Sequence, residues 1–345
     1  MALPVGSDLY VSPLLSNALI AYIQSAEDFV TDIFPTIPVD YPTGPIMRYN
    51  RADWYRNTAK PRAPGTESVG VGWRADHSLS WNAQVYAEHS DIADQTRSSA
   101  QPPVNLDRDV TELLGQQLLL QRQNLFATEY WNTTAWTWNW IGNSTGSTTS
   151  TGGDFVYWDD YLTAGSSYTS NPLGNMDTAR TLIKKNTGFW PNTMVVGVPV
   201  YMALRQHPQV IDRIKYVMRA FPNMTNSQDI FAAAFDVQKF QIAGVVQTTS
   251  IEGVPTVDET YDFVLGNDIL LAYAAPNPGI LTPSAGYTFS WRGFSGMTQV
   301  GAIIKKFRME ELESDRIEAK LAYGLNVIEP ALGGFVSGIT ETIPA

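Results

Sequence analysis

Several stretches of the sequence carry residue types at spacings that do chemistry in other proteins. GVGWRA sets Gly70, Gly72 and Ala75 at the G-x-G-x-x-A spacing of a dinucleotide site. That site works because a helix begins at the glycines and its first N–H groups hold a pyrophosphate. Here an alternating strand pattern follows, which predicts a flexible hairpin instead. GNSTG sets Gly142, Ser144 and Gly146 as in the nucleophile elbow of serine hydrolases. The elbow needs a helix directly after the serine and a partner histidine. STTSTGG follows, and it will not form one. Asp159 and Asp160 beside Trp158 suggest a glycosidase pair, but adjacent residues on a strand face opposite sides and cannot converge on one bond.

The stretch VVGVPVYMALRQHPQVIDRIKY, residues 195–216, runs from an apolar strand through Gly197 and Pro199 into helix, as at many phosphate sites. It has one glycine, no lysine at a phosphate-binding spacing and no acidic partner. Leu204, Val210, Ile211, Ile214, Val217 and Met218 recur at helical spacing, so the turn is read as structural. His77, His89 and His207 lie on different elements and match no metal-ligand spacing. His207, before a proline at a helix break, is expected to cap or to face solvent. Asn132, Asn143 and Asn223 fit the glycosylation pattern, which means little without a secretory signal. The sequence therefore predicts no catalytic group, no cofactor and no metal.

Composition narrows the class further. The chain has 345 residues, no cysteine and a net charge of −11. Disulfides and thiolate zinc sites are excluded, and a reducing interior suits the chain. Binding nucleic acid through phosphates needs clustered Lys and Arg, and no basic run exists. No apolar run approaches bilayer length, and the N-terminus lacks a basic region followed by an apolar one, so neither a signal peptide nor a membrane anchor is expected.

These features must sit on elements that the pattern foretells. Ser12 and Pro13 start a helix along Leu15, Leu19, Tyr22, Ile23, Ala26, Val30 and Ile33, and Pro35 stops it. FPTIPVDYPTGPI can be neither helix nor inner strand, and it runs extended over something else. Leu79, Trp81, Ala83 and Val85 alternate after a Pro/Gly-rich tip, which predicts a long projecting hairpin with no core of its own. A strong helix begins near Asp109 and Glu112, with Val110, Leu113, Leu114, Leu118, Leu125 and Phe126 on its apolar side. WTWNW alternates like a strand, and the Ser/Thr/Gly tail after it reads as an exposed loop. Helices are expected over 177–187, 199–206, 208–220 and SQDIFAAAF. TMVVGV, KFQIAGVVQ, DILLAYAAP, GYTFSW and the segment around Ile317, Ala319 and Leu321 are expected as strands. VIEP and GGFVSGI continue as strand, and the class is α+β.

The order of these parts resembles the major capsid proteins of tailed bacteriophages, with the Hong Kong 97-type fold. The resemblance rests on DIFPTIPVDYPTGPI, MRYNRADWYR read as an aromatic strand, NLDRDVTELLGQQLLLQRQN, MVVGVPVYMALRQHPQVIDRIKY, FAAAFDVQKFQIAG and DRIEAKLAYGLNVIEPALGGFVSGI. It implies an N-terminal arm over 1–45 and an extended loop with its strands over 46–104. A peripheral domain over 105–175 would hold a long spine helix and a Trp/Ser/Thr-rich insertion exposed on the shell. An axial domain would cover 176–311, and 312–345 would return to the peripheral domain as strands.

The same resemblance implies a structural role, not an enzymatic one. Many copies would form hexamers and pentamers of an icosahedral shell around double-stranded DNA that is enclosed but not specifically bound. A separate scaffolding protein, a portal and, where one is used, a decoration protein are the implied partners, with no membrane. The protein would assemble in the host bacterial cytoplasm and reside in the virion. Members of the family crosslink a Lys to an Asn of the adjacent subunit; Lys60 lies near the hairpin tip, but no acceptor matches, so it reads as a solvated charge. Interface candidates are Arg48, Arg51, Trp54, Tyr55, Arg56 and Trp73, because Trp, Tyr and Arg are enriched at interface hot spots. The alternative function is carbohydrate binding or processing by the Trp-rich segment 131–158, where indoles would stack on sugars.

Overall fold

The computed structural model describes residues 33–100, 104–144, 153–162, 170–220, 226–279, 282–293 and 302–341. The expected first helix falls outside these residues except at its end, where Ile33 and Phe34 are buried.

One sheet is built around a long central strand. β4 (Gln84–Ala93), β12 (Gly286–Trp291) and β13 (Ala302–Met309) all pair with β14 (Ser314–Val327), and β1 (Thr36–Val39) completes the sheet. β14 pairs along one edge with β4, and along the other first with β13 and then with β12. β1 joins β12 in parallel as an edge strand, where Pro38 is tolerated because the outer N–H has no ladder partner to serve.

The helix α3 (Leu106–Tyr130) crosses this sheet, and Leu114 and Leu118 pack on Ile92, Ile317 and Ala319. Its N-cap is Asn105, whose side chain accepts from the Arg108 N–H at 3.3 Å, so the helix starts before Asp109. Leu113 is exposed, because the contact line runs through Leu114, Leu118 and Phe126 at four-residue steps and leaves it one position off. The start of α3 is pinned by charge. Arg97, on the short helix α2 (Asp94–Ser99), bridges Asp107 and Asp315, each at 2.9 Å, and Lys306 reaches Asp107 at 2.8 Å.

A six-stranded sheet forms the middle layer, in the order β6 (Asp154–Val156), β5 (Trp138–Asn143), β15 (Gly333–Ser337), β11 (Ile269–Ala272), β7 (Thr193–Gly197) and β8 (Lys239–Ala243). Side chains alternate across it with the period of two that strands impose. Met194, Val196, Ile269, Leu271 and Val336 enter a core under α4 (Pro172–Thr187), α5 (Val198–Gln206), α6 (Pro208–Ala220) and α7 (Ser227–Ala234). Val195, Leu270, Ala272 and Phe335 enter the opposite core, with Phe126 and Tyr130 of α3. Burial on both faces explains why these strands read as unbroken apolar runs.

Several expectations change in the folded chain. The Trp-rich segment is not an exposed insertion in its described residues: β5 and β6 extend the six-stranded sheet, and Trp140 and Trp158 are fully buried. The fit requires Gly333 and Gly334 opposite, since a Cβ there would lie 2.1 Å from the Trp136 ring and 2.5 Å from that of Trp140. Its Ser/Thr/Gly tail, 145–152, lies outside the described residues. KFQIAGVVQ is not one strand but breaks at Gly244 into β8 and β9 (Val246–Thr248); β9 pairs with β10 (Tyr261–Phe263) in a separate ribbon. Asp159 and Asp160 sit in a turn, not a strand, and the Asp159 carboxylate accepts from the Glu341 N–H at 3.1 Å.

The strand proposed through Leu79–Val85 is also two strands. β2 (Thr43–Tyr49) pairs with β3 (Ala75–Asn82), then Ala83 donates its N–H to Pro42 and the chain enters the body sheet as β4. The arm and the hairpin base are not coreless. Ile37, Val39, Ile46 and Trp81 pack on Tyr287, Phe289 and Ile328, and the Trp81 and Phe289 rings stack at 5.5 Å. Only the tip matches the idea of an uncovered projection: residues 59–74 are exposed throughout.

Candidate subunit interface

The exposed tip is rooted in a local knot. Asn50 caps a one-turn helix, α1 (Arg51–Trp54), by accepting from the Ala52 N–H at 2.9 Å, so MRYNRADWYR is a strand end plus a helical turn and not one aromatic strand. Asp53 then reaches across the loop to Arg74. It accepts from the Arg74 backbone N–H at 3.1 Å and from the Nε and Nη2 of its guanidinium at 3.1 and 3.2 Å. Such a bidentate pair fixes orientation as well as distance. The Arg74 guanidinium holds the Asp53 carboxyl below its ordinary range, with a smaller contribution from Arg56.

The knot brings two of the six sequence candidates, Trp54 and Trp73, onto a residue that the sequence reading missed, while Arg48, Arg51 and Tyr55 tie it to the body. The Tyr49 ring meets Trp54 edge-on at 5.9 Å and Trp73 at 5.2 Å. Arg48 turns inward to Asp76 at 3.0 Å and to Glu329 at 3.8 Å; Arg51 reaches Glu329 at 3.9 Å. Tyr55 turns down onto the end of α4, where its hydroxyl donates to the Thr187 carbonyl at 2.5 Å. Arg56 is exposed beyond the knot.

Large apolar side chains are exposed in and near this knot: Trp54 is 60% exposed, Trp73 63% and Val71 70%, and Met47 is half exposed. Exposed aromatic side chains gathered on one ring make the root of the tip a candidate association surface. Asp53, Arg74 and Glu329 carried no sequence signal, because partners 21 and more residues apart leave no local spacing. Tyr49 could have been found from its place in the aromatic run.

The motif candidates resolve as structure. Gly70 and Gly72 precede β3, not a helix. Gly142 lies in β5, while Gly146 is outside the described residues. The Gly197–Pro199 turn carries α5 away from a fully buried strand. His207 is buried at the α5–α6 break, where its Nδ1 accepts from the Gln209 N–H at 3.2 Å, and burial pushes its pKa down. Ile211 is exposed despite its helical spacing, whereas Leu204 and Val210 are buried. Among the described residues no cluster of three metal-type side chains occurs, and no helix is long and apolar enough to cross a membrane.

No protein-family model matches the chain. Over 289 residues, 82% of this chain and 84% of the relative, it is 23% identical to the major capsid protein of Burkholderia phage BcepMu. A phage-related protein from Bordetella bronchiseptica has a TM-score of 0.62 at 17% identity, covering 93% of this chain and 95% of that one. The capsid of cyanophage P-SCSP1u gives 0.55 at 12% identity, over 96% of this chain and 93% of that one. The mature capsid of bacteriophage PhiM1 gives 0.53 at 12%, over 99% of this chain and all of that one. The protein has the phage capsid fold.

This is the α+β, Hong Kong 97-type architecture that the sequence resemblance implied. In the capsid fold the Trp-rich segment has no support as a sugar platform. Trp136, Trp140 and Trp158 are buried, and the Trp138 indole donates to the Ala331 carbonyl at 3.1 Å. Stacking on a sugar needs an open ring face, and these rings spend theirs on the two cores.

Proposed function

We propose that the protein is the structural subunit of an icosahedral phage head, assembling in many copies around packaged double-stranded DNA. The observation that carries this reading is the capsid fold along nearly the whole chain, combined with the sequence relationship to a phage major capsid protein. The exposed tip with its aromatic root supports it, because such a loop is costly to order unless a neighbour covers it. Its mechanism is association: moderate contacts repeated around each subunit make a stable shell, while single contacts stay reversible enough to correct errors.

In this reading residues 1–45 act as the arm, 46–104 as the extended loop and 176–311 as the axial domain. Residues 105–175 and 312–345 form the peripheral domain, with two qualifications from the fold. β4 lies in the body sheet, and β5 and β15 join the six-stranded sheet of the axial part. Subunits would form hexamers and pentamers, assemble in the bacterial cytoplasm with a separate scaffolding protein and a portal, and end in the virion. The acidic balance suits a wall that encloses DNA without holding it.

Trp54, Trp73 and Arg56 are the outward contacts, whereas Arg48, Arg51 and Tyr55 hold the loop in position to make them. Expression of the full chain with the other head genes, followed by gradient sedimentation and negative-stain microscopy, tests the reading. Closed shells are expected. Trp54→Ala should leave soluble subunits and cut shell yield about tenfold, the equivalent of 1.4 kcal/mol. A chain that remains monomeric under every condition refutes the shell; unchanged yield with Trp54→Ala removes that residue from the contact.

A further inference from the structure

The ribbon of β9 and β10, residues 246–263, is a second projection, and its chemistry differs from that of the loop tip. Its strands pair with each other, Tyr261–Phe263 against Val246–Thr248. A two-stranded ribbon of this size is marginal in water without a surface to lie on. Its apolar side chains are nevertheless exposed: Val257 at 94%, Ile251 at 83% and Tyr261 at 63%. Its charge is of one sign. Between Lys239 and Arg292 the sequence contains no Lys, Arg or His, and the ribbon holds Glu252, Asp258, Glu259 and Asp262.

The opposite pattern lies on α5 and α6. Arg205, Arg213 and Lys215 are exposed there, and Asp212, paired to Lys215 at 2.8 Å, is the one carboxylate between residues 198 and 220. Met202, Ile211 and Tyr216 are exposed among these cations. The two surfaces thus match in charge and in apolar content. Within one chain they belong to opposite faces of the six-stranded sheet: the ribbon roots through Val245 and Val264 on the core that holds Phe126, whereas α6 packs through Val210 and Ile214 into the other core.

We propose that the acidic ribbon of one copy lies on the basic α5–α6 face of an adjacent copy. This inference rests on the shell reading and names a contact within it. Because the two patches differ, the contact is head-to-tail, and a head-to-tail contact closes into a ring when its rotation permits. Ile251 and Val257 supply the buried apolar area, and the charges set register and steer encounter. A contact with charged rims also weakens as salt rises, since exposed charges more than about 10 Å apart are largely screened at 0.1 M and nearer ones progressively as salt is added.

The test uses the full chain in shell-forming expression. Glu252→Lys with Asp258→Lys, and separately Arg205→Glu with Arg213→Glu, should each reduce the assembled fraction about tenfold. Combining all four reversals in one chain should restore it to within about threefold of the starting protein. Because the chain has no cysteine, Val257→Cys with Tyr216→Cys gives an unambiguous second readout. Oxidised particles of the double variant should show a ladder of covalent multimers, and neither single variant should. Shells that form at full yield with either reversed pair, particles without a ladder, or crosslinks only to a different protein overturn the contact and leave the shell intact. Absence of shells from the unaltered chain fails the shell reading itself, and this contact with it.

Discussion

The loop and the body are joined at a helix cap, and this makes Gly188 a sensitive place to perturb. Gly188 ends α4 at φ +81°, with its N–H donating to the Lys184 carbonyl at 2.8 Å, and a Cβ there would lie 2.6 Å from the Tyr55 hydroxyl oxygen. Gly188→Ala therefore has two costs. The left-handed backbone costs an L-residue about 1–2 kcal/mol. Displacing Tyr55 from the Thr187 carbonyl loses a hydrogen bond worth about 1 kcal/mol. The sum is about 2–3 kcal/mol in urea unfolding of the subunit, against about 1 kcal/mol for Tyr55→Phe. The double variant loses the hydrogen bond only once, so the cycle should show a coupling of about 1 kcal/mol. Releasing Tyr55 also loosens the loop, and tryptic cleavage at Arg56 and Arg62 should accelerate about fivefold in either single variant, the rate equivalent of 1 kcal/mol. Strictly additive energies together with unchanged loop cleavage would refute the idea that this cap tethers the loop.

Further expectations concern the body. Trp140→Ala should destabilise the subunit by about 3–5 kcal/mol through cavity formation and yield insoluble chain; a loss below about 0.5 kcal/mol would mean the segment is an appended loop after all. Asp107 is held at a pKa of about 2, chiefly by its hydrogen bond to Arg97 and next by that to Lys306. A depressed carboxylate stabilises the fold above its unfolded value, near 3.8, and that stabilisation is lost as pH falls through about 2. Asp107→Asn should thus cost about 1 kcal/mol at pH 7, allowing for screening at a carboxylate more than a third exposed, and the difference from the unaltered chain should vanish in urea titrations below about pH 2.

Local pattern was enough for most elements of this protein. The α3 helix, the β7 strand with α5 and α6 after it, the break before Pro208, and the strands β11, β12 and β14 follow from periodicity and from Gly and Pro placement, which are short-range properties of the chain. The order of those elements pointed to the capsid fold for the same reason. Partnership was not readable in this way. Nothing in KFQIAGVVQ announces that its halves join different sheets, and nothing in WTWNW says that Gly333 and Gly334, nearly two hundred residues on, make room for its indoles. Asp53 with Arg74, and Arg48 and Arg51 with Glu329, likewise join residues whose separation hides them from any spacing rule. Sequence decides what a segment can be because its φ/ψ preferences and its apolar stripe are local. Which segments meet, and which side chains are left over for a neighbouring subunit, is decided only when the two cores close and their surplus faces water.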